Sequence, residues 1–184
     1  MEAFLVSTTT VALAEIGDKT QLLSLILAAR FRAPLAIILG ILVATILNHA
    51  LSAWLGIWIT SLISAETGRI LVAISFLLVA AWILIPDKQD DKPGLFSRMG
   101  AFWATTLLFF IAEIGDKTQV ATVILAAQYQ SLIWVTLGTT LGMLLANIPV
   151  VLFGQTLMKR MPLKLARYSA SAVFMVLGVA TLLF

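Results

Sequence analysis

One octapeptide occurs twice and constrains everything else in this chain. Ala14-Glu15-Ile16-Gly17-Asp18-Lys19-Thr20-Gln21 returns unchanged as Ala112-Glu113-Ile114-Gly115-Asp116-Lys117-Thr118-Gln119. Both copies sit near the middle of long apolar stretches, where lipid would surround an ordinary side chain. A carboxylate at membrane depth costs roughly 2.5–3.5 kcal/mol on insertion scales. Six charged positions placed there in a matched pattern ask for a functional reason.

The 184 residues are 61% hydrophobic and 11% charged, against about 25% charged in a soluble domain. This composition points to an all-α membrane protein with little mass outside the bilayer. There is no cysteine, so neither a disulfide framework nor a thiolate metal site is available. No basic run suggests nucleic acid as a partner. The first apolar run lacks the positive start of a signal peptide and carries the first motif, so it reads as a retained helix.

Six stretches are long enough to cross about 30 Å of hydrocarbon, near 3–29, 34–59, 67–86, 99–127, 131–157 and 164–184. A polar linker, 87–98, separates a first unit, 1–86, from a second, 99–184. The two match at a constant offset of 98. From Ala14 to Ala29 against Ala112 to Ala127, 12 of 16 positions are identical. The offset also pairs Gly40 with Gly138, Gly56 with Gly154, Arg69 with Arg167 and Phe76 with Phe174. An internal duplication accounts for this. Three spans per unit make the second copy lie upside down relative to the first, as two inverted-topology three-helix repeats.

Loop charge agrees with that reading. Arg30, Arg32, Lys88, Lys92, Arg98, Lys159, Arg160, Lys164 and Arg167 fall in odd-numbered loops, and Arg69 alone in an even one. Positive loops stay cytoplasmic, so both termini lie outside and loop 87–98 inside. Trp54, Trp58, Trp82, Trp103 and Trp134 fall near span ends and read as interfacial anchors.

In a continuous helix Glu15 and Asp18 share a face, Lys19 pairs with Glu15, and Thr20 points away. Gly17 either admits a neighbouring helix or opens the turn and frees carbonyl oxygens. In the second case Thr20 and Gln21 turn toward the same cavity. The second copy, with Lys117, Thr118 and Gln119, repeats these options. Inverted repeats bring such mid-helix sites together near the midplane, so Glu15, Asp18, Glu113 and Asp116 converge. With two lysines they leave two negative charges, which a divalent cation neutralises. Oxygen donors suit Ca²⁺, Mg²⁺ and Mn²⁺. The same acids hold protons once the ion leaves, because mutual repulsion in a dry place favours the neutral form.

The competing reading is structural: Glu15 with Lys19, and Glu113 with Lys117, brace the helices. Asn48 and His49 in the second span, and Asn147 in the fifth, are the next polar positions. Asn48 and Asn147 read as interhelical hydrogen bonds. For His49 that role and a place in the metal shell or a proton relay both stand; a nitrogen ligand favours Mn²⁺ over Ca²⁺. Gly138 and Gly142 form a small-xxx-small pair for close packing. Ser7 to Thr10, and Thr105 with Thr106, read as back-bonded hydroxyls rather than an access path.

The doubled Glu-x-Gly-Asp-Lys-Thr in a six-span chain resembles the Golgi-type manganese/calcium–proton antiporter family, in its bacterial branch. The resemblance implies export of Mn²⁺, or Ca²⁺, from the cytoplasm against protons. It implies binding by the motif acids, no cofactor and a place in a bacterial inner membrane. A passive cation channel, an intramembrane aspartyl protease and an exporter of small organic solutes are the rival readings. The protease needs two acids sharing one proton, and the doubled Glu and Lys are surplus to it.

Overall fold

The computed structural model describes residues 1–85, 99–154 and 163–183. The linker 87–98 and the basic residues Lys159 and Arg160 lie outside the described residues. Apolar runs with few breakers dictate the helices. Among the described residues they are α1 Glu2–Glu15, α2 Lys19–Phe31, α3 Pro34–Ser61 and α4 Ala65–Ile83, then α5 Ala101–Glu113, α6 Lys117–Tyr129, α7 Leu132–Phe153 and α8 Leu163–Leu183. Pro34 opens α3 in the first turn, where its missing N–H costs nothing, and the Ser64 side chain caps α4. Helix α7 runs through Pro149 and stops at Gly154, whose φ is 59°. Among the described residues three helices, α3, α4 and α7, are individually long and apolar enough to cross a membrane.

The stretches 3–29 and 99–127 are not continuous helices. Each breaks at the motif glycine: Gly17 takes φ 84° and Gly115 φ 75°, with Ile16 and Ile114 extended. Only a residue without Cβ enters that region cheaply. The reading in which Glu15 and Asp18 share a helical face, with Thr20 turned away, is therefore overturned. Backbone opened away from water must find partners. The amide of Gly17 donates to Gln21 Oε1 at 2.8 Å, and that of Gly115 to Gln119 Oε1 at 2.6 Å. The motif glutamine thus supplies the acceptor that the helix lost.

The two halves interlock instead of folding side by side. Gly40 of α3 lies on α5, where an added Cβ would stand 2.8 Å from the Phe102 carbonyl. Gly138 of α7 lies on α1, where it would stand 2.6 Å from the Phe4 carbonyl. Gly142 continues the second seam against Thr8 and Ala12. The contacts thus recur at the sequence offset, 40 with 102 and 138 with 4. Helices α4 and α8 meet through Phe76 and Phe174, whose rings are 6.0 Å apart, and through Ser171, which donates to the Ala80 carbonyl. Outside, Leu35, Leu78, Ile133 and Val176 are exposed, the surface expected of a chain solvated by lipid. Trp54, Trp58, Trp103 and Trp134 are exposed as well, and Trp82 is half-buried.

Candidate metal centre

The breaks end α1 and α5 at Glu15 and Glu113, and start α2 and α6 at Asp18 and Asp116. Each glutamate thus sits at the electronegative end of a helix, an unfavourable place for an anion unless a cation lies beside it. Glu15, Glu113 and Asp116 each place a carboxylate oxygen within 4.8 Å of the others, and all three are buried. Asp18 is buried too but is not part of this triplet.

Hydroxyls on the half-helices hold the glutamates. Thr20 Oγ1 donates to Glu15 Oε2 at 2.5 Å, and Thr118 Oγ1 to Glu113 Oε2 at 3.0 Å. The second oxygens, Glu15 Oε1 and Glu113 Oε1, are buried and have no hydrogen-bond partner. Buried charge without a partner is costly, and three clustered carboxylates, two of them with an unpartnered buried oxygen, make a candidate place for a cation. Lys19 Nζ crosses between the halves to Asp116 Oδ1 at 3.2 Å. The local brace of Glu15 with Lys19 is therefore replaced by a pair between repeats. Lys117 donates to the Ile85 carbonyl at 2.7 Å. When all are ionised the triplet with Lys19 carries two negative charges and the buried Asp18 adds a third, a surplus that suits a cation.

The remaining predicted residues lie around this centre without joining the triplet. Gln21 also donates to the Ala146 carbonyl at 2.9 Å. Asn48 donates to the Phe110 carbonyl at 3.1 Å. Asn147 accepts from Ser24 at 2.7 Å and donates to the Met143 carbonyl. His49 is fully buried, and neither ring nitrogen has a hydrogen-bond partner. Back-bonding holds for Thr8 and Thr106, whereas the buried hydroxyls of Ser7, Thr10 and Thr105 have no partner. Ser24 escaped the sequence reading, although it stands three residues after Gln21 on the same half-helix face.

Buried acids at the meeting point of two broken helices, among described residues that are helical and mostly apolar, suit a membrane carrier for cations. Comparison with known proteins specifies the class. The chain belongs to the family described as divalent cation/proton antiporter GDT1, whose model matches residues 3–91 and 101–184. It is 53% identical over 185 residues to a Vibrio cholerae serotype O1 protein named "Putative manganese exporter", covering 100% of this chain and 92% of that one. It is 29% identical over 200 residues to the Arabidopsis thaliana "Protein PAM71-homolog, chloroplastic", covering 91% of this chain and 55% of that one. It is 27% identical over 223 residues to the Arabidopsis thaliana "GDT1-like protein 5", covering 100% and 96%. No solved structure matches.

Proposed function

We propose that this antiporter exports Mn²⁺, with Ca²⁺ as the lesser substrate, and that the ion sits among Glu15, Glu113 and Asp116 with Asp18 beside them. The carrying observation is the pair of partnerless buried oxygens, Glu15 Oε1 and Glu113 Oε1, in a triplet spanning 4.8 Å. An all-oxygen set favours a hard cation. The Vibrio relative's printed name favours manganese among these. Six spans in two inverted repeats carry the site. Helices α1 and α2 together have 27 residues, from 14 and 13, or about 40 Å at 1.5 Å per residue. Broken helices from both repeats meeting at one site is the arrangement of inverted-repeat transporters. Loop charge orients both termini outside the inner membrane of a bacterium.

Moving a divalent ion outward opposes the membrane potential by about 2.3 kcal/mol per charge per 100 mV. Two protons moving inward on the same carboxylates cancel that term. Thr20 and Thr118 orient one oxygen of each glutamate and leave the other for ion or proton. Lys19 neutralises part of Asp116 between ions. The test is a proteoliposome loaded with a metal-sensitive dye. Wild type carries Mn²⁺ at a rate set by the pH gradient, and Glu15→Gln and Asp116→Asn lose at least tenfold. Wild-type rates in both variants would sink the site, and flux indifferent to the gradient would leave a passive channel.

A further inference from the structure

The two halves share a sequence pattern but differ in how their half-helices are held. Near the motif, α2 is tied to α7: Gln21 donates to the Ala146 carbonyl at 2.9 Å and Ser24 to Asn147 at 2.7 Å. Adding 98 to the first residues and subtracting it from the second names the counterpart, Gln119 and Thr122 on α6 against Asn48 and His49 on α3. That tie is absent. The Thr122 hydroxyl turns back to the Thr118 carbonyl at 2.8 Å, the Asn48 carbonyl takes the Ser52 hydroxyl, and both His49 nitrogens are buried without partners.

The far ends differ in the opposite sense. The end of α6 is pressed onto α3: a Cβ on Gly56 would collide with the Val123 carbonyl, and Gln130 donates to Thr60 at 2.8 Å. Over the described part of α7, which ends at Gly154, the end of α2 stands off. Among the described residues Gly154, the mate of Gly56, has Leu25 at 3.7 Å as its nearest neighbour. A crevice of about 160 Å³ lies there, lined by Ala28, Arg32, Pro34, Val151 and Leu152. One half-helix is therefore fastened at the motif and splayed at its tip; the other is unfastened at the motif and closed at its tip.

We propose that His49 is a gating residue: in the opposite-facing conformation Thr122 fastens to His49, Ser24 releases Asn147, and α2 and α6 exchange tilts. The crevice at Arg32 and Leu152 then closes, and its mate opens at Gln130 and Trp54. This rests on the transport reading above, because a carrier must expose its site to each side in turn. The sequence supplies the pairing, and the orphaned histidine supplies the reason for a second state. A polar ring buried without partners is a standing cost, which the second conformation relieves. Under the orientation inferred from loop charge, the present crevice opens to the cytoplasm.

The chain has no cysteine, so spin labels go only where cysteines are introduced. One labelled pair is Arg32→Cys with Leu152→Cys; the other is Trp54→Cys with Gln130→Cys, all four sites being exposed. Distances are read by pulsed electron resonance in lipid nanodiscs. Wild type is expected to give two populations at each pair, changing reciprocally when Mn²⁺ is added. His49→Leu removes the second fastening and should shift both pairs toward the conformation described here. Ser24→Ala removes the first and should shift both the other way. Each shift should be about fivefold in the population ratio, the worth of one net hydrogen bond. His49→Asn keeps an acceptor for Thr122 and should return the wild-type ratio. Unmoved distances in His49→Leu and Ser24→Ala, movement of both variants in one direction, or no rescue by His49→Asn would overturn the gate. Flux of Mn²⁺ is read on the same unlabelled variants. Reciprocal distances in a wild type that carries no Mn²⁺ would sink the transport reading and leave the gate standing.

Discussion

Thr20 and Thr118 each hold one oxygen of a motif glutamate and leave the other without a partner. Removing the hydroxyl while keeping a β-branched shape should let the carboxylate turn and lose its aim. Thr20→Val is expected to weaken Mn²⁺ binding about tenfold, since hydrogen bonds to a charged group are worth about 1.5–3 kcal/mol, and Thr20→Ser should restore most of it. Titration calorimetry on the purified protein reads both. Equal affinities for all three would remove the threonines from the site. The acids themselves were legible in the sequence, because a charge in an apolar stretch has few innocent explanations. Their partners were not. Lys19 looked paired with Glu15 under helical spacing, yet the opened turn sends it 3.2 Å from Asp116 in the other half. Once the backbone leaves the helix, periodicity no longer says where a side chain goes, which is also why Asp18 separates from the triplet.

Individual elements depend on glycines for two different reasons. Gly17 and Gly115 are needed for their backbone angles, and forcing a Cβ into that region costs roughly 1–2 kcal/mol per residue. Gly17→Ala should favour resealing the turn into continuous helix, swinging Thr20 off Glu15. Flux should fall by more than tenfold; flux within twofold of wild type would mean the break is dispensable. Gly138 is needed for space. Its added Cβ would stand 2.6 Å from the Phe4 carbonyl, whereas on Gly68 the nearest atom would be 3.7 Å away. Overpacking costs about 1–3 kcal/mol, so Gly138→Ala should lower the melting temperature in detergent by several degrees and Gly68→Ala hardly at all. Equal melting of the two would show that the α1–α7 seam yields freely. The seam glycines were legible as a small-xxx-small pair. The break was not, since one glycine in an apolar run serves close approach and an opened turn equally well.

For the whole molecule, the duplication was visible because the halves keep their spacing over three helices. The interlocking was invisible, because adjacency in sequence suggests neighbours within a half, and instead α3 packs on α5 and α7 on α1. The same crossing gives a reason for the acids to meet: each half's long helix packs on the other half's first helix, α3 on α5 and α7 on α1, and those first helices end at Glu113 and Glu15. Orientation then decides which side each break serves. If the halves are inverted, corresponding positions must face opposite sides of the membrane. Arg32 and Gln130 are such a pair: both are exposed, both end a half-helix in the left-handed region, with φ 49° and 48°, and they are 98 apart. In the cysteine-free background, Arg32→Cys should react with a membrane-impermeant maleimide only in inside-out vesicles. Gln130→Cys should react only in right-side-out ones. Reaction of both from the same side would leave the halves parallel. That would remove the symmetry on which the shared acid site and the exchange of tilts both depend.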